Sequence, residues 1–216
     1  HAGKFLAEAV KEKMSADNNS LAEDKGLTFE DPVILSVVWG GVEIGYEVSK
    51  STGIPLDIIK PIKITAPDGS GKLIGALAGV NEIYIDHEEA ERLNTDKGYI
   101  EKQIMEKKAE ISGLEDDYRK GLPPKRLTGR TLIITDDGIA TGTTMTAAIK
   151  ALRTANPKAV IVAAPVANPV SLELIRQAAD EVICLQSPED FNSVEEFYEI
   201  FGETPPERIR ELVLAR

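Results

Sequence analysis

The segment 131–145, TLIITDDGIATGTTM, constrains this chain more than any other, because it joins a run of strand formers to a helix through a loop of acids, glycines and threonines. The alternation then continues through helix TMTAAIKALR, strand AVIVAAPV, helix NPVSLELIRQAA and strand EVICL. Strand alternating with helix implies right-handed crossovers and parallel pairing. The expected fold class is therefore α/β, a parallel twisted sheet with helices on both faces.

The rest of the chain reads as additions to that sheet. Phe5, Leu6, Ala9 and Val10 have helical spacing, and the polar stretch SADNNSLAEDKG breaks the pattern, giving an N-terminal helix and loop over 1–30. The apolar run VILSVV stops at Gly40-Gly41 before an amphipathic segment, which reads as strand, tight turn and helix. Residues 56–64 read as a second strand that Pro61 makes irregular or places partly at an edge. LIGALA and EIYID, separated by Gly79-Val80-Asn81, suggest a hairpin projecting from the sheet, so 65–86 is a candidate flap. Asp86 and Glu89 have capping-box spacing, which makes His87 a surface residue in a short helix. Ile100, Ile104, Ile111, Leu114 and Tyr118 share one face of a long helix, and the stripe reads as core packing. The aromatic tail from 187 to 216 reads as a helical cap. A length of 216 residues fits one domain over 1–216 with these elaborations.

Composition removes several functions. A net charge of −11 repels phosphate backbones and anionic membranes, so no nucleic-acid or membrane partner is expected. No run of 18 apolar residues and no charged leader is present, and a cytoplasmic setting is the expectation. Cys184 lies in EVICL and reads as a packed thiol in a buried strand. His1 is expected to carry no chemistry.

The loop itself has a chemical reading. Asp136 and Asp137 arrive at the carboxyl end of a buried strand, where adjacent carboxylates are costly unless they meet hydroxyls, cations or amides. Gly138 and Gly142 supply backbone freedom, and Thr141, Thr143 and Thr144 supply hydroxyls beside the first amides of a helix, which favour anions. Acids for ribose hydroxyls next to donors for a terminal phosphate describe a ribose 5-phosphate site. The competing reading is a capped turn with the threonines as N-caps.

The run IITDDGIATGTTM resembles the phosphoribosyl-pyrophosphate motif of type I phosphoribosyltransferases. From about residue 31 onward, the order of VVWGG, PIKI, IGALAG, YRKGLPP, the motif and ADEVICL is similar to a subgroup of bacterial and archaeal phosphoribosyltransferases assigned by sequence. The resemblance implies a magnesium-dependent transfer of ribose 5-phosphate from 5-phosphoribosyl 1-pyrophosphate to a small nitrogenous base, in a homodimer. Asp136 and Asp137 would bind the ribose hydroxyls, with Mg2+ brought by the ligand near them. Ala140, Thr141, Gly142, Thr143 and Thr144 would hold the 5′-phosphate, and Trp39, Gly40 and Gly41 the pyrophosphate.

Four positions refine or qualify that implication. Trp39 stands where the subgroup usually has arginine, and Gly71 where it usually has glutamate. Lys63 matches the family's lysine after the second strand and is the candidate catalytic cation for the departing pyrophosphate, or else a solvated strand-end lysine. Ala140 stands where 6-oxopurine members have aspartate, which disfavours hypoxanthine or guanine as acceptor. A non-catalytic sensor of the donor is a second reading, and a sugar-phosphate or nucleotide hydrolase a third. A dinucleotide-binding fold is least favoured because GxGxxG is absent from the turns.

Overall fold

Alternate residues on each central strand enter two different cores, which is how short apolar runs come to form one sheet covered on both faces. The computed structural model describes residues 1–19 and 29–215, and of 17–19 the backbone alone. Val33, Leu35 and Val37 of β1 (Val33–Val37), Leu132 and Ile134 of β6 (Thr131–Thr135), and Val160 and Val162 of β7 (Ala159–Val166) pack beneath α5 (Thr143–Arg153) and α6 (Pro169–Ala178). Ile34, Ile133 and Ile161 enter the opposite core, with α1 (Ala2–Asn19) and α2 (Gly41–Thr52). With β2 (Leu56–Ile59) and β8 (Glu181–Gln186) at the edges, the parallel order is β2-β1-β6-β7-β8. The expected fold class holds. The chain builds β1 and β2 outward and then returns to the other side of β1, so the order reverses between β1 and β6. In open α/β sheets that reversal leaves a ligand crevice at the carboxyl ends of the two strands.

The expected second strand over 56–64 is divided. β2 ends at Ile59, and after Lys60 and Pro61 the chain enters β3 (Ile62–Thr65), which belongs to a separate antiparallel sheet with β4 (Leu73–Leu77) and β5 (Ile83–Ile85). Proline donates no amide hydrogen bond and is confined to edge strands, strand ends and breaks, and Pro61 falls in the break between two edge strands. β4 and β5 form the expected hairpin, but it does not extend the main sheet. Ile64, Ile74 and Leu77 bury against Ile111 of α4 (Lys97–Arg119), while Ala76 and Ala78 join the core under α5.

Two other expectations change. The first helix runs on through Asn19, so Ser15 to Asn19 are helical, and the rest of the expected loop up to Glu30 lies mostly outside the described residues. Cys184 is half-buried, because β8 is an edge strand with Leu185 and Gln186 exposed. Its thiol donates to the Gln186 carbonyl at 3.1 Å. The short helix α3 (His87–Arg92) is capped as expected, Asp86 Oδ1 accepting from the Glu89 amide at 3.0 Å, with His87 exposed.

Two clusters tie β2 and α4 to the rest of the fold. At the end of α4, Arg119 Nε lies 2.9 Å from Asp57 Oδ1 and Nη1 lies 2.7 Å from Glu115 Oε2, all three side chains being buried. The second Asp57 oxygen accepts from the Lys125 amide at 2.8 Å, so β2, α4 and the chain leading to β6 meet at one carboxylate. The C-terminal cap contains α7 (Pro206–Leu214), whose Ile209, Leu212 and Val213 bury against Val38, Val42, Ile58 and Tyr118. Among the described residues no helix is long and apolar enough to cross a membrane.

Candidate functional site

β6 is buried along its whole length and releases its two acids at the crevice. The loop that follows is held from the neighbouring β7–α6 connection. The Ile139 amide donates to the Val166 carbonyl at 2.9 Å and the Asn168 amide to the Ile139 carbonyl at 2.8 Å. Ser171 Oγ donates to the Ala140 carbonyl at 2.7 Å. Gly142 then takes a left-handed conformation, φ 69°, with space for an added β-carbon limited by Ser171 at 3.1 Å. Glycine is the residue that accepts both conditions.

Gly142 is also the N-cap of α5, and no side chain caps this helix. The Thr143 amide lies a long 3.5 Å from Thr141 Oγ1, a weak contact. The threonines therefore do not saturate the helix start, which weighs against a simple capped turn. Ala140, Thr141, Thr143 and Thr144 are exposed around it. Asp136, Gly138, Thr141, Gly142, Thr144 and Met145 line a cleft of about 200 Å3.

The acids are electrostatically uncomfortable in the free protein. Burial raises the Asp136 carboxyl pKa well above the ordinary range, and the neighbouring Asp137 charge raises it further. Burial also raises Asp137. Backbone hydrogen bonds offset part of this cost: the Asp137 amide donates to Asp136 Oδ1 at 3.0 Å, and the Gly138 backbone favours the Asp137 carboxylate, but burial outweighs them. Hydroxyl donors or a cation brought by a ligand would relieve this cost. Among the described residues no cluster of three or more metal-ligating side chains exists.

The β1–α2 turn closes on the acids from the adjacent strand. A β-carbon at Gly40 would fall 2.0 Å from Asp137 Oδ2, and one at Gly41 would fall 2.5 Å from the Thr135 carbonyl oxygen. Only glycine permits this approach. Trp39, within the turn, is engaged elsewhere: its Nε1 donates to the Tyr118 hydroxyl at 3.0 Å, and Lys60 Nζ lies 4.9 Å from its ring centroid. Lys63 comes from β3 and donates to Thr143 Oγ1 at 3.2 Å. Gly71 sits in the exposed β3–β4 turn with φ 69°.

The structure thus gathers Gly40, Gly41, Lys63 and the 136–144 loop around one crevice, with Trp39 bordering it. Sequence reasoning missed the tail's part in it. Tyr198 donates its hydroxyl to the Asp137 carbonyl at 2.6 Å, and burial holds that phenol in its neutral form by raising its pKa. A β-carbon on Gly138 would lie 2.5 Å from Val194, which also lines the cleft. The aromatic density after Ser187 was the available signal, but only tertiary structure connects residues 61 positions apart.

An α/β sheet with an acid–glycine–threonine loop at its switch point defines a class of protein that binds small ligands at a strand end. The sequence matches the family described as the phosphoribosyl transferase domain over residues 7–199, and the chain belongs to that family. It is 29% identical over 177 residues to a protein of Mycobacterium tuberculosis, found in strains CDC 1551 and H37Rv, whose name gives phosphoribosyl transferase as a provisional assignment. That match spans 82% of this chain and 40% of the relative, so the chain spans less than half the length of these relatives. The crystal structure of TT1426 from Thermus thermophilus is 31% identical, with a TM-score of 0.84 over 100% of this chain and 95% of that one.

Proposed function

We propose that the chain transfers ribose 5-phosphate from 5-phosphoribosyl 1-pyrophosphate to a nitrogenous base, with release of pyrophosphate and dependence on magnesium. The observation that carries this reading is the acid pair Asp136–Asp137 at the carboxyl end of buried β6, joined by a short glycine-containing loop to a start of α5 that no side chain caps. Ribose hydroxyls donate to the carboxylates, and the terminal phosphate accepts from the helix amides and threonine hydroxyls. Gly40 and Gly41 leave the β1–α2 backbone close enough for its amides to face the pyrophosphate. When bound with the donor, magnesium supplies neutralisation of the pyrophosphate charge.

In the reaction the C1–oxygen bond breaks and its electron pair leaves with pyrophosphate. The base nitrogen's lone pair forms the new bond to C1, and the nitrogen's proton passes to solvent. The residues of the chain bind and orient both partners and exclude water, with the exposed 67–72 turn of the 65–86 segment, rather than its buried strand β4, as the part that covers the site. Ala140 supplies no acid toward the acceptor, which supports an acceptor other than hypoxanthine or guanine.

One observation favours a second reading. The Trp39 indole is committed to Tyr118, so the turn presents no charged donor of its own, as in a sensor that binds the donor without turnover. A pyrophosphate-release assay with magnesium, donor and a panel of purines, pyrimidines and small amines separates the two. Release with at least one base supports the transferase. Silence across the panel with donor binding intact supports the sensor.

A further inference from the structure

Lys63 matches a lysine that the family resemblance assigns to the departing pyrophosphate, but its position here points elsewhere. Its Nζ donates to Thr143 Oγ1 at 3.2 Å, and that oxygen lies 3.0 Å from Thr141 Oγ1. An ammonium and two hydroxyls therefore line up along the start of α5. The helix start carries partial positive charge, and no side-chain acceptor caps it. Two positive centres converging on one spot repel each other, and an anion between them reverses the sign of that interaction. Among the described residues Lys63 has no carboxylate within ion-pair distance to offset the repulsion.

The chain's own packing delivers this amine. Lys63 pairs with Ala76 in the antiparallel sheet, and Ile64 beside it is fully buried against α4, so strand alternation puts Lys63 on the face opposite to that core. β3 packs against α5 as well as α4. The pyrophosphate side of the crevice is a different place, the turn where Gly40 meets Asp137.

We propose that Lys63 is a ligand of the 5′-phosphate, completing the cradle at the start of α5. This rests on the donor site described under Proposed function. The experiment is a calorimetric titration of wild type, Lys63→Met and Lys63→Arg with ribose 5-phosphate, with magnesium pyrophosphate and with the full donor. Lys63→Met weakens ribose 5-phosphate and donor by about the same factor, roughly tenfold for a lost charged hydrogen bond. Magnesium pyrophosphate stays within about twofold, and Lys63→Arg recovers most of the loss. Lys63 is exposed, so the fold tolerates both changes. A loss confined to pyrophosphate and donor, or no loss at all, overturns the assignment of Lys63 while leaving the donor site standing. Wild type that binds neither ribose 5-phosphate nor donor overturns the site itself and the assignment with it.

Discussion

A β-carbon at position 40 would lie 2.0 Å from Oδ2 of Asp137, so the β1–α2 turn and the acid pair fit together only while residue 40 is glycine. The consequence is local and testable. In Gly40→Ala either the turn or the carboxylate moves, and both belong to the donor site. Donor affinity measured by calorimetry falls at least about tenfold, the cost of misplacing one charged contact. The circular dichroism spectrum remains native because the cores under the sheet are untouched. Affinity within twofold of wild type means that the turn and the acids do not act together.

The raised acid pair links donor binding to pH. Well below the ordinary aspartate value of about 3.9, both carboxyls are protonated in the folded and unfolded chains alike. As pH rises past it, the unfolded chain ionises first while the folded chain retains protons, so stability falls until the raised values are passed. Ligand hydroxyls and cation favour the ionised pair, so binding releases protons and affinity rises with pH across that window. Calorimetry in buffers of different ionisation enthalpy shows the release. Asp136→Asn removes the charge that burial penalises and raises the melting temperature at neutral pH by roughly 2–4 °C, the shift expected for about 1 kcal/mol in a chain of this size, while donor binding is lost.

Tyr198 reaches the site from the cap. Its hydroxyl donates to the Asp137 carbonyl at 2.6 Å. Tyr198→Phe keeps the ring and removes that donor, leaving the carbonyl less well fixed. The expected cost is about 1 kcal/mol, seen as a roughly fivefold rise in the donor dissociation constant. Phe191 and Phe197, whose rings stack at 5.6 Å, retain their packing in this variant. A change in melting temperature with no change in donor binding contradicts the role.

Arg119 is a stability residue remote from the proposed chemistry. It neutralises buried Asp57 and buried Glu115 together, and burial already raises the Glu115 carboxyl. Arg119→Met leaves both acids without their cation, and the loss is about 3–5 kcal/mol by chemical denaturation at neutral pH. It shrinks as pH falls and the stranded carboxyls take up protons. A loss that does not change with pH contradicts the assignment of the defect to unpaired charge.

The sequence makes the main sheet legible because its strands are continuous apolar runs buried on both faces, and helices of regular period separate them. The 136–144 loop is legible for the same reason: its acids and threonines have no role in a strand or a helix interior. Pro61 marks a break in 56–64, but only the pairing of Ile62 to Thr65 with β4 reveals a second sheet. The path of Lys63 to Thr143 depends on that break and is invisible to local pattern. Cys184 misleads because EVICL is apolar enough for a central strand, whereas the order of strands puts it at an edge. The contact of Tyr198 with Asp137 joins segments whose only sequence signal is aromatic density.

The central claim is that the acid pair and the helix start together hold a phosphoribosyl donor. A calorimetric titration of 5-phosphoribosyl 1-pyrophosphate with magnesium into wild type, and into the double variant Asp136→Asn with Asp137→Asn, tests it most directly. The account predicts saturable one-site binding by wild type, weakened when magnesium is withheld, and no measurable binding by a double variant that melts no lower. Equal affinity in the two proteins would contradict it.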